Sequence, residues 1–503
     1  MSTRRTTYLT TAIPYVNGDP HVGFALECVQ ADVLARHRRL RGDDVRFLSG
    51  TDDNSLKNVE AARRAGIAVA DFVRSRGDRF AALRDALQLS YDDFIRTSAD
   101  PRHRPGVERL WQACAAAGDL YEREYEGLYC TGCEAFVTPE ELVEGRCPEH
   151  GVEPERVAER NWFFRLSRHR DALLDVLDSG RLRVEPAARR NEALALVRGG
   201  LDDFSVSRPA ARAQGWGIPV PGDASQVVYV WFDALANYVT ALGYGSGDDL
   251  YGRWWLGADE RVHVIGKGIL RFHAVYWPAI LRSAGEPLPT AVLVHDYLTL
   301  EGAKLSKSDG GGADPAALAA AYGAEALRWW FARDVPRVGD ADFREEALAA
   351  RADELADELG NLVSRVVALA ARARAAGPAA PGGSAAGEKL LAGVARAGES
   401  VDAALARFDL PAAAAAVRGA VAAANRFVAE RRPWEHARAA AAGDAAAAGA
   451  LATDLAALLQ ACAAIAAEVS PFLPHAARRI ERALDDLDPE AARQLFPKTR
   501  LAA

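Results

Sequence analysis

The stretch TYLTTAIPYVNGDPHVGF, residues 7–24, carries the strongest signal for the fold. Its apolar first part predicts a buried strand over residues 7–13, then a turn that starts at Pro14, then a helix that begins at His21. A helix that follows a strand and a turn offers unpaired backbone N–H groups and the positive end of its dipole, which together suit a phosphate. Gly23 leaves room for a nucleotide, and His21 can donate a hydrogen bond to a phosphate oxygen. The same short pattern also occurs in ordinary turns.

A second stretch far downstream makes the interpretation specific. Residues 292–300 predict another strand, and the loop after it, EGAKLSKS (residues 301–308), contains two lysines and two serine hydroxyls. The two stretches resemble the HIGH and KMSKS signatures of the class I aminoacyl-tRNA synthetases, which hold one ATP from opposite sides. The resemblance implies catalytic roles for His21, Lys304 and Lys307. It also implies ATP contacts from Gly23, Ser308 and Lys267.

Length and composition restrict the class of protein. The chain has 503 residues, enough for about three domains. The formal net charge of −8 argues against a generally basic nucleic-acid binder, so any RNA contact is expected on a local surface. No apolar run approaches the length of about 18 residues that a membrane span needs, and no signal-peptide core follows the N-terminus. We therefore expect a cytoplasmic protein with no membrane association.

Three of the six cysteines cluster with a histidine. The clustered residues form two pairs of possible ligands, Cys130 with Cys133 and Cys147 with His150. This spacing predicts a structural Zn²⁺ knuckle with three thiolates and one imidazole, one zinc per chain, and a filled tetrahedron leaves no open position for catalysis. The alternative of unrelated surface residues is disfavoured, because a glycine and a proline supply the tight turns that such knuckles need. The remaining cysteines are expected in cores.

A second strand is predicted over residues 44–49, and it ends in the sequence GTDDN, residues 50–54. Ligands of open parallel sheets bind beyond the carboxyl ends of the strands, so Asp52 is expected beside His21. There its carboxylate can hold an ammonium group. A helix N-cap is the alternative role for Asp52. The segment that follows, residues 55–117, is predicted to be helical throughout.

An aromatic group lies in the middle of the chain. Residues 227–232 are predicted to form a strand with Trp231 near its end, and a helix is predicted over residues 233–244. Trp231, Ala234 and Tyr238 follow one another at spacings of three and four residues and can share one face. Taken by its pattern alone, such a stripe is more typical of a core than of a ligand pocket.

A further strand, residues 261–265, leads into a helix with Phe272 and His273, which by pattern alone also favours a core position. A helix is predicted over residues 315–331, and the remaining chain is helical. A segment rich in glycine, proline and alanine, residues 377–387, is predicted to be a flexible loop between helices.

The whole chain resembles the methionyl-tRNA synthetases, in the form with one zinc knuckle and no extra C-terminal dimerisation module. The resemblance implies an α/β fold: a Rossmann-type parallel-sheet catalytic domain with an inserted zinc-knuckle connective domain and a C-terminal α-helical anticodon-binding bundle. The implied ranges are 1–115 and 226–293 for the catalytic domain, 116–225 for the connective domain, 294–350 for the KMSKS-type loop and stem-contact region, and 351–503 for the bundle. A monomer is expected.

The resemblance also assigns binding residues. The family contacts methionine through positions that match Ile13, Tyr15, Asp52, Trp231, Ala234, Tyr238, Phe272 and His273. It reads the anticodon through positions that match Asn361, Arg365 and Trp434. An exposed tryptophan can stack an unpaired base while polar groups one helical turn apart read its edges.

The implied activity is that of a methionine–tRNA ligase. The methionine carboxylate attacks the α-phosphorus of ATP and expels pyrophosphate, and the adenylate then acylates the 3′ end of initiator or elongator methionine tRNA. Neither step needs a side-chain nucleophile. Catalysis would come from positioning and from positive charge on the triphosphate, supplied by the helix N-terminus, Mg²⁺, His21, Lys304 and Lys307.

Three motifs depart from the family pattern. Phe24 stands in place of the second histidine of HIGH, and Gly268 replaces the aspartate of a Gly-Lys-Asp motif. The last three residues of a Gly-Thr-Asp-Glu-His-Gly motif are Asp53, Asn54 and Ser55. Phe24 cannot donate to a phosphate, and the loss of one preorganised donor can cost about 2.7–4 kcal/mol in a transition state.

These departures leave two alternatives to a ligase with a rebuilt ATP site. One is a paralogue of secondary metabolism that adenylates an amino acid and transfers it to a small amine or hydroxylamine instead of tRNA. The other is a non-catalytic tRNA-binding relative, which the retained Lys304 and Lys307 disfavour.

Overall fold

The computed structural model describes residues 4–130, 132, 135–149, 151–247, 249–300, 303–304, 313–376 and 383–496. Its strands are β1 (Thr6–Thr11), β2 (Asp44–Thr51), β3 (Asp93–Arg96), β4 (Leu120–Cys130), β5 (Ala135–Val137), β6 (Glu155–Phe164), β7 (Arg183–Glu185), β8 (Phe204–Ser205), β9 (Ser207–Pro209), β10 (Pro219–Val220), β11 (Asp223–Val228), β12 (Glu260–Gly266), β13 (Ala291–His295), β14 (Leu298–Leu300), β15 (Ala303–Lys304) and β16 (Ala341–Phe343).

Its helices are α1 (Val22–Leu40), α2 (Leu56–Ala65), α3 (Val69–Ala86), α4 (His103–Ala116), α5 (Arg170–Asp178), α6 (Ala187–Gly199), α7 (Val230–Thr240), α8 (Asp249–Tyr251), α9 (Trp277–Ser283), α10 (Pro315–Tyr322), α11 (Ala324–Arg333), α12 (Glu345–Glu354), α13 (Asn361–Ala376), α14 (Ala385–Ala406), α15 (Leu410–Arg431), α16 (Pro433–Ala441), α17 (Ala445–Val469), α18 (Pro474–Asp486) and α19 (Pro489–Arg493). Short 3₁₀ turns span Pro139–Glu141, Leu166–His169 and Lys267–Ile269, and π-helical turns span Gly252–Leu256, Phe272–Tyr276 and Leu355–Gly360.

A six-stranded parallel sheet forms the centre of the region predicted to be the catalytic domain, in the order β3-β2-β1-β12-β13-β7. Within it, Thr10 of β1 lies opposite Leu48 of β2, and Thr11 lies opposite Val264 of β12. From its second residue on, β1 is buried at every position, which is why its sequence does not alternate between polar and apolar residues. The chain order reverses between β1 and β12, so their carboxyl ends open a crevice for a ligand. The predicted Rossmann-type sheet is confirmed.

The segment predicted to be helical throughout, residues 55–117, contains the edge strand β3, so that prediction is wrong there. β3 is only four residues long and pairs with β2, from Leu48 opposite Asp93 to Thr51 opposite Arg96. Four residues are too few to disturb the helical spacing of the apolar residues on either side of them. Its pairing partner is remote in sequence, and no local signal marks it.

Trp231 lies on a helix and not at the end of a strand. β11 ends at Val228 and α7 begins at Val230, so the prediction of a strand over residues 227–232 is wrong in its second half. Because α7 begins at Val230, the side chain of Trp231 points in the same direction as those one turn further along the helix. The stripe identified by its spacing is therefore present, although its first member was assigned to the wrong element.

Two other predicted elements are interrupted. The strand predicted over residues 292–300 is divided into β13 and β14, and Asp296, between them, forms an ion pair with Arg189. The helix predicted over residues 315–331 is divided into α10 and α11 at Gly323. Gly323 has a φ of 89°, in the region that favours glycine.

The inserted region is built on an antiparallel sheet of order β5-β4-β6-β8. β4 and β6 pair along their length, from Leu120 opposite Phe164 to Tyr129 opposite Glu155. Within the range predicted for the insertion, residues 116–225, β7 nevertheless pairs in parallel with β13 of the central sheet. The chain therefore contributes a strand to the central sheet before it returns through β9 and β11.

Helices α12 to α19 form the predicted C-terminal bundle, in which α14 packs against α15 and α17. By length and composition, the 25-residue helix α17 could cross a membrane, so the prediction that no apolar run approaches that length is wrong. Half of its most apolar window is buried, and Leu458, Cys462 and Ile465 lie in the core. A core helix of a bundle has the same apolar composition. Of the predicted flexible loop, residues 377–382 lie outside the described residues, and α14 already begins at Ala385.

A buried ion pair joins the C-terminal half of the chain to the central sheet region. Arg328 on α11 and Asp32 on α1 are both fully buried, and their charged atoms lie 2.8 Å apart. Arg328 also donates to the backbone carbonyls of Phe472 (2.8 Å), Leu87 (3.0 Å) and Pro471 (2.9 Å). One guanidinium therefore binds α1, the end of α3 and the connection between α17 and α18.

Candidate active site

A cavity of about 410 Å³ opens at the carboxyl ends of β1, β2, β12 and β13. This is the crevice where the strand order reverses, the usual ligand position in open parallel sheets. Every residue predicted to contact the amino acid lines it: Ile13, Tyr15, Asp52, Trp231, Ala234, Tyr238, Phe272 and His273. Their individual roles stay predictions, but the fold brings all of them to one cavity.

His21 forms the N-cap of α1 at one side of this cavity. Its Nδ1 accepts a hydrogen bond from the backbone N–H of Gly23, 3.0 Å away. Because Nδ1 is an acceptor, the proton of the neutral ring is on Nε2, the atom that can donate to a phosphate oxygen. A Cβ atom at Gly23 would lie 2.9 Å from Cε1 of His21. A side chain at position 23 would therefore displace the ring of His21, while the ATP contact of Gly23 stays a prediction.

Phe24, in place of the second signature histidine, belongs to both the cavity wall and the core. It is 7% exposed, and its ring packs edge-on against Phe80 of α3 with 5.3 Å between the centroids. Such an aromatic pair contributes about 0.5–1.5 kcal/mol beyond the burial of its area. The departure exchanges a polar donor for an apolar contact with α3, so this side of the cavity is less polar than the family motif implies.

An aromatic wall stands on the amino-acid side. Trp231 stacks on Phe272 with 3.7 Å between ring centroids and 4° between planes, and Tyr15 meets Trp231 edge-on at 6.4 Å. Phe272 and His273 lie in a π-helical turn, a local geometry frequent at functional sites. A thioether sulfur gains about 0.3–1.5 kcal/mol from contact with aromatic rings. The wall therefore suits the side chain of methionine.

The histidine and tyrosine side chains at the base of the cavity are uncharged. His273 Nδ1 donates to the carbonyl of Ile269 at 2.9 Å, so its Nε2 accepts from the hydroxyl of Tyr238 at 2.8 Å. Burial lowers the pKa of His273 to about 4 and raises the pKa of Tyr238. Burial also lowers the pKa of His263, whose ring stacks on Tyr238 with 4.1 Å between centroids. At neutral pH the base carries no charge, as an uncharged substrate side chain requires.

Asp52 provides a carboxylate at the wall of the cavity. It is 2% exposed, and its backbone N–H donates to the carbonyl of Pro14 at 2.9 Å. This bond and an isolated parallel bridge between Tyr15 and Asp52 extend the β1–β2 pairing beyond the strand ends. Oδ1 of Asp52 accepts from the backbone N–H of Asn54 at 3.2 Å. A buried carboxylate held in this way is suited to pair with a substrate ammonium group.

Gly268, in place of the family's aspartate, lies directly beneath Tyr297. A Cβ atom at position 268 would be 2.0 Å from the hydroxyl oxygen of Tyr297, so the phenol occupies the space of the missing side chain. Lys267 is not among the described residues that line the cavity. Its ammonium group pairs with Asp340 at 2.6 Å and lies 4.6 Å from the ring centroid of Tyr297. The ATP contact of Lys267 stays a prediction, while the structure shows it holding Tyr297.

Sequence reasoning missed other polar residues of the cavity wall. Glu27 Oε1 accepts from a backbone N–H just after β1 at 2.8 Å, and Oε2 lies 3.1 Å from Nε2 of His295. Asp296, which forms an ion pair with Arg189, lines the same side. Glu27 is three residues after Phe24 on α1, so helical spacing could have identified it. His295 and Asp296 follow from the carboxyl end of β13 only if that strand is known to stop there.

The predicted catalytic loop is only partly described. The backbone of Lys304 lies in β15, opposite Thr299 of β14. Lys307 and Ser308 lie outside the described residues. Their roles in ATP binding stay predictions.

The zinc knuckle is also only partly described. Cys130 and Cys147 are buried, while Cys133 and His150 lie outside the described residues. Among the residues that are described, no group of three or more potential ligands is placed to hold a metal. Gly132 and Glu149, from the two predicted knuckle turns, line the cavity. These two residues of the predicted knuckle turns therefore border the candidate active site.

The predicted anticodon residues lie on the C-terminal bundle. Asn361 begins α13, and Arg365 one turn later donates to its carbonyl at 3.3 Å. The guanidinium of Arg365 also donates to the side chain of Asn425 on α15 at 2.7 Å, a partner that sequence reasoning missed. Trp434, in the first turn of α16, is 39% exposed. The exposure of this large aromatic side chain is consistent with base stacking.

Comparison with known proteins defines the class of this one. The family described as "tRNA synthetases class I (M)" matches residues 7–157 and 150–367. The chain belongs to this family of class I tRNA synthetases, as its two signature stretches and its parallel sheet predict.

Its relatives are more specific. The chain is 41% identical over 433 residues to the methionine–tRNA ligase of Brucella suis, which covers 85% of this chain and 83% of that protein. It is 43% identical over 371 residues to the methionine–tRNA ligase of Mycobacterium tuberculosis, covering 73% and 70%. The structure of Mycobacterium tuberculosis methionyl-tRNA synthetase in complex with methionyl-adenylate superposes with a TM-score of 0.90 and 37% identity, covering 99% of this chain and 98% of that one.

Proposed function

We propose that this protein is a methionine–tRNA ligase, which forms methionyl-adenylate from methionine and ATP and transfers the methionyl group to the 3′ end of methionine tRNA. The observation that carries the proposal is the convergence of the predicted methionine residues on one cavity beside the N-terminus of α1. The relatives named methionine–tRNA ligase support it.

The geometry suits adenylate formation. A carboxylate oxygen of methionine attacks the α-phosphorus of ATP, the bond to the β-phosphate oxygen breaks, and pyrophosphate leaves. Asp52 would hold the amino group, and the wall of Trp231 and Phe272 would enclose the thioether. Nε2 of His21 and the N–H groups of α1 would then face the phosphates, where fixed donors stabilise charge that develops in the transition state. Mg²⁺ enters as part of the ATP substrate.

The second step needs no protein nucleophile either. A hydroxyl of the tRNA 3′-terminal ribose attacks the acyl carbon, and AMP leaves with the bonding electrons. The exposed Trp434 and the pair of Asn361 and Arg365 support recognition of an unpaired anticodon base on the bundle, far along the chain from the cavity. Initiator and elongator methionine tRNAs are the proposed partners. A cytoplasmic location, absence from membranes and a monomeric state stay predictions.

We also propose a structural zinc ion in the knuckle. Its two described ligands are buried thiols, and a tight turn follows the second, in which the N–H of Gly151 donates to the carbonyl of Cys147 at 2.7 Å. Cys130 and Cys147 would hold the ion together with Cys133 and His150, and the ion would order a turn that borders the cavity. Metal analysis of the purified protein should find one tightly held zinc per chain, and a clear deficit would contradict this assignment.

Methionine-dependent exchange of pyrophosphate into ATP tests the first step. The wild-type protein should catalyse it with methionine and much less with leucine or norleucine. Asp52→Asn should raise the KM for methionine strongly, because the substrate ammonium loses its charged partner. Asp53→Asn is the matched control: Asp53 is also buried but accepts from the hydroxyl of Ser98 at 2.8 Å and is not part of the cavity wall. Exchange that is insensitive to Asp52→Asn would refute the assigned amino-acid site.

A further inference from the structure

Behind the cavity, five residues from three segments, namely α4, α7 and the loop after β2, form one chain of hydrogen bonds. Thr240 Oγ1 lies 2.8 Å from Nδ1 of His103, and Nε2 of His103 lies 2.5 Å from Oδ1 of Asp233. The other carboxylate oxygen of Asp233 accepts from the side-chain amide of Asn54 at 2.8 Å. The backbone N–H of Asn54 donates to Asp52. The chain therefore ends at the carboxylate proposed to hold the substrate amino group.

Burial makes this chain rigid. Thr240, His103 and Asp233 are fully buried, and Asp52 is 2% exposed. A carboxylate without water must have its oxygens satisfied by protein donors, and removing one partner of a buried pair is costly. Asp233 receives one donor on each oxygen, from His103 and from Asn54. Neither partner can move without leaving a buried carboxylate oxygen unpaired.

The packing of α4 against α7 fixes His103 in turn. A Cβ atom at Gly106 would lie 2.4 Å from Cγ2 of Thr240, and a Cβ atom at Gly245 would lie 2.8 Å from Cα of Gly106. Gly106 of α4 therefore packs tightly against Thr240 of α7 and against the backbone of the turn after α7, and His103, in the first turn of α4, is held at a fixed position against α7. His103 does not line the cavity, so it can act on the substrate only through its neighbours.

Position 54 is one of the departures from the family pattern, with asparagine in place of histidine. The amide of Asn54 donates one hydrogen bond to Asp233 and carries no charge. Among the described residues, His103 is therefore the ionisable side chain that pairs with Asp233. The departure makes the orientation of the loop with Asp52 depend on one imidazole that lies 130 residues away in sequence from the carboxylate it binds.

We propose that His103 is a positioning residue for the amino group of the amino-acid substrate, acting through Asp233 and Asn54 on Asp52. This inference rests on the proposed function, because it assumes that Asp52 binds an ammonium group. The predicted effect is confined to the amino end of the substrate, because the wall at the thioether is held by the stacking of Trp231 on Phe272.

Two substrate fragments separate this role from a merely structural one. Methioninol keeps the amino group and the thioether, whereas 4-(methylthio)butanoate keeps the thioether and lacks the amino group. Both are measured as inhibitors of methionine-dependent pyrophosphate exchange. His103→Ala should raise the inhibition constant of methioninol about tenfold, within the range that a displacement of about 1 Å causes. It should leave the constant for 4-(methylthio)butanoate, and the KM for ATP, within about twofold.

His103→Gln should restore most of the methioninol affinity, since its amide can donate to Asp233. If His103→Ala does not fold, Asp233→Asn gives the same test, because its amide nitrogen cannot accept the bond that one oxygen now accepts. His37→Gln is the matched control. His37 is also buried, but it lies in the last turn of α1 and pairs with Asp402 of α14. Equal weakening of both fragments, or of neither, would overturn the inference. Absence of exchange in the wild-type protein would instead refute the proposed function.

Discussion

Gly268→Ala adds a single methyl group at a position of the cavity wall where the structure leaves no room for it. The new Cβ would lie 2.0 Å from the hydroxyl oxygen of Tyr297 and 3.2 Å from its Cζ. Carbon and oxygen atoms in contact lie about 3.5 Å apart, so the end of the ring must move by about 1.5 Å. Overpacking of this kind costs about 1–3 kcal/mol.

The displaced ring would lose a second interaction. The ammonium group of Lys267 lies 4.6 Å from the centroid of Tyr297, and an exposed cation–π contact contributes about 0.5–1 kcal/mol. Lys267 is itself held by Asp340, which also accepts from the backbone N–H of Tyr297 at 2.9 Å. Because Gly268 and Tyr297 both line the cavity and contact or adjoin Lys267, a predicted ATP contact, the change should affect ATP more than methionine.

Pyrophosphate exchange at varied ATP and thermal unfolding measure the two parts of this prediction. Gly268→Ala should raise the KM for ATP and lower the free energy of unfolding by about 1–3 kcal/mol. The double variant Gly268→Ala, Tyr297→Ala removes the clash, so the two changes should couple by about 0.5–3 kcal/mol. Gly419→Ala is the control: a Cβ atom there meets nothing within 4 Å, and alanine is the better residue in a helix interior. Additive effects of the two changes would refute the reasoning about Tyr297.

Other predictions follow from the same contacts. Phe24→His should lower both the stability and the rate of adenylate formation, since the pair with Phe80 is lost; a faster exchange rate would contradict a rebuilt wall. Although burial opposes it, the guanidinium of Arg328 keeps the pKa of Asp32 below its ordinary value, so this stabilisation is present above pH about 4 and is lost as the pH falls through the lowered pKa. In acid-unfolding curves Asp32→Asn should flatten that dependence, and Arg328→Met should cost about 3–5 kcal/mol in urea. Trp434→Ala should reduce tRNA charging in an aminoacylation assay while pyrophosphate exchange is unchanged.

The opening stretch could be predicted because its signals are local. A buried strand, a turn with proline and an N-cap side chain all lie within residues 7–24, and the structure has β1, the turn and the cap of His21 there. The position of Asp52 could be predicted for a similar reason. The sequence indicates where β2 ends, and the carboxyl ends of all parallel strands lie on the same side of the sheet. Short stretches of sequence were therefore enough to predict that His21 and Asp52 lie at one cavity.

What could not be predicted depends on partners remote in sequence. The four residues of β3 form a strand only because β2 is beside them. At the break between β13 and β14, Asp296 pairs with Arg189, which lies 107 residues away in sequence. His103 carries no local mark of its contact with Asp233, since a histidine at a helix start is also compatible with an exposed position.

The family resemblance supplied residues that periodicity alone would have assigned to the core. Trp231 and Tyr238 share one face of α7, and their spacing does not distinguish a core stripe from a cavity wall. The departures from the family motifs, in contrast, could be interpreted only with the structure. Comparison with the family motif marks Gly268 as a missing aspartate, but only the structure shows that Tyr297 fills its place.

Anticodon-dependent charging is the measurement that tests the central claim most directly. The purified protein is given ATP, Mg²⁺, methionine and methionine tRNA, with a tRNA of altered anticodon as the control. The proposed function predicts methionylation of the first tRNA and a large loss with the second. Adenylate formation without transfer to either tRNA would contradict it and would direct the search for the acceptor to small amines.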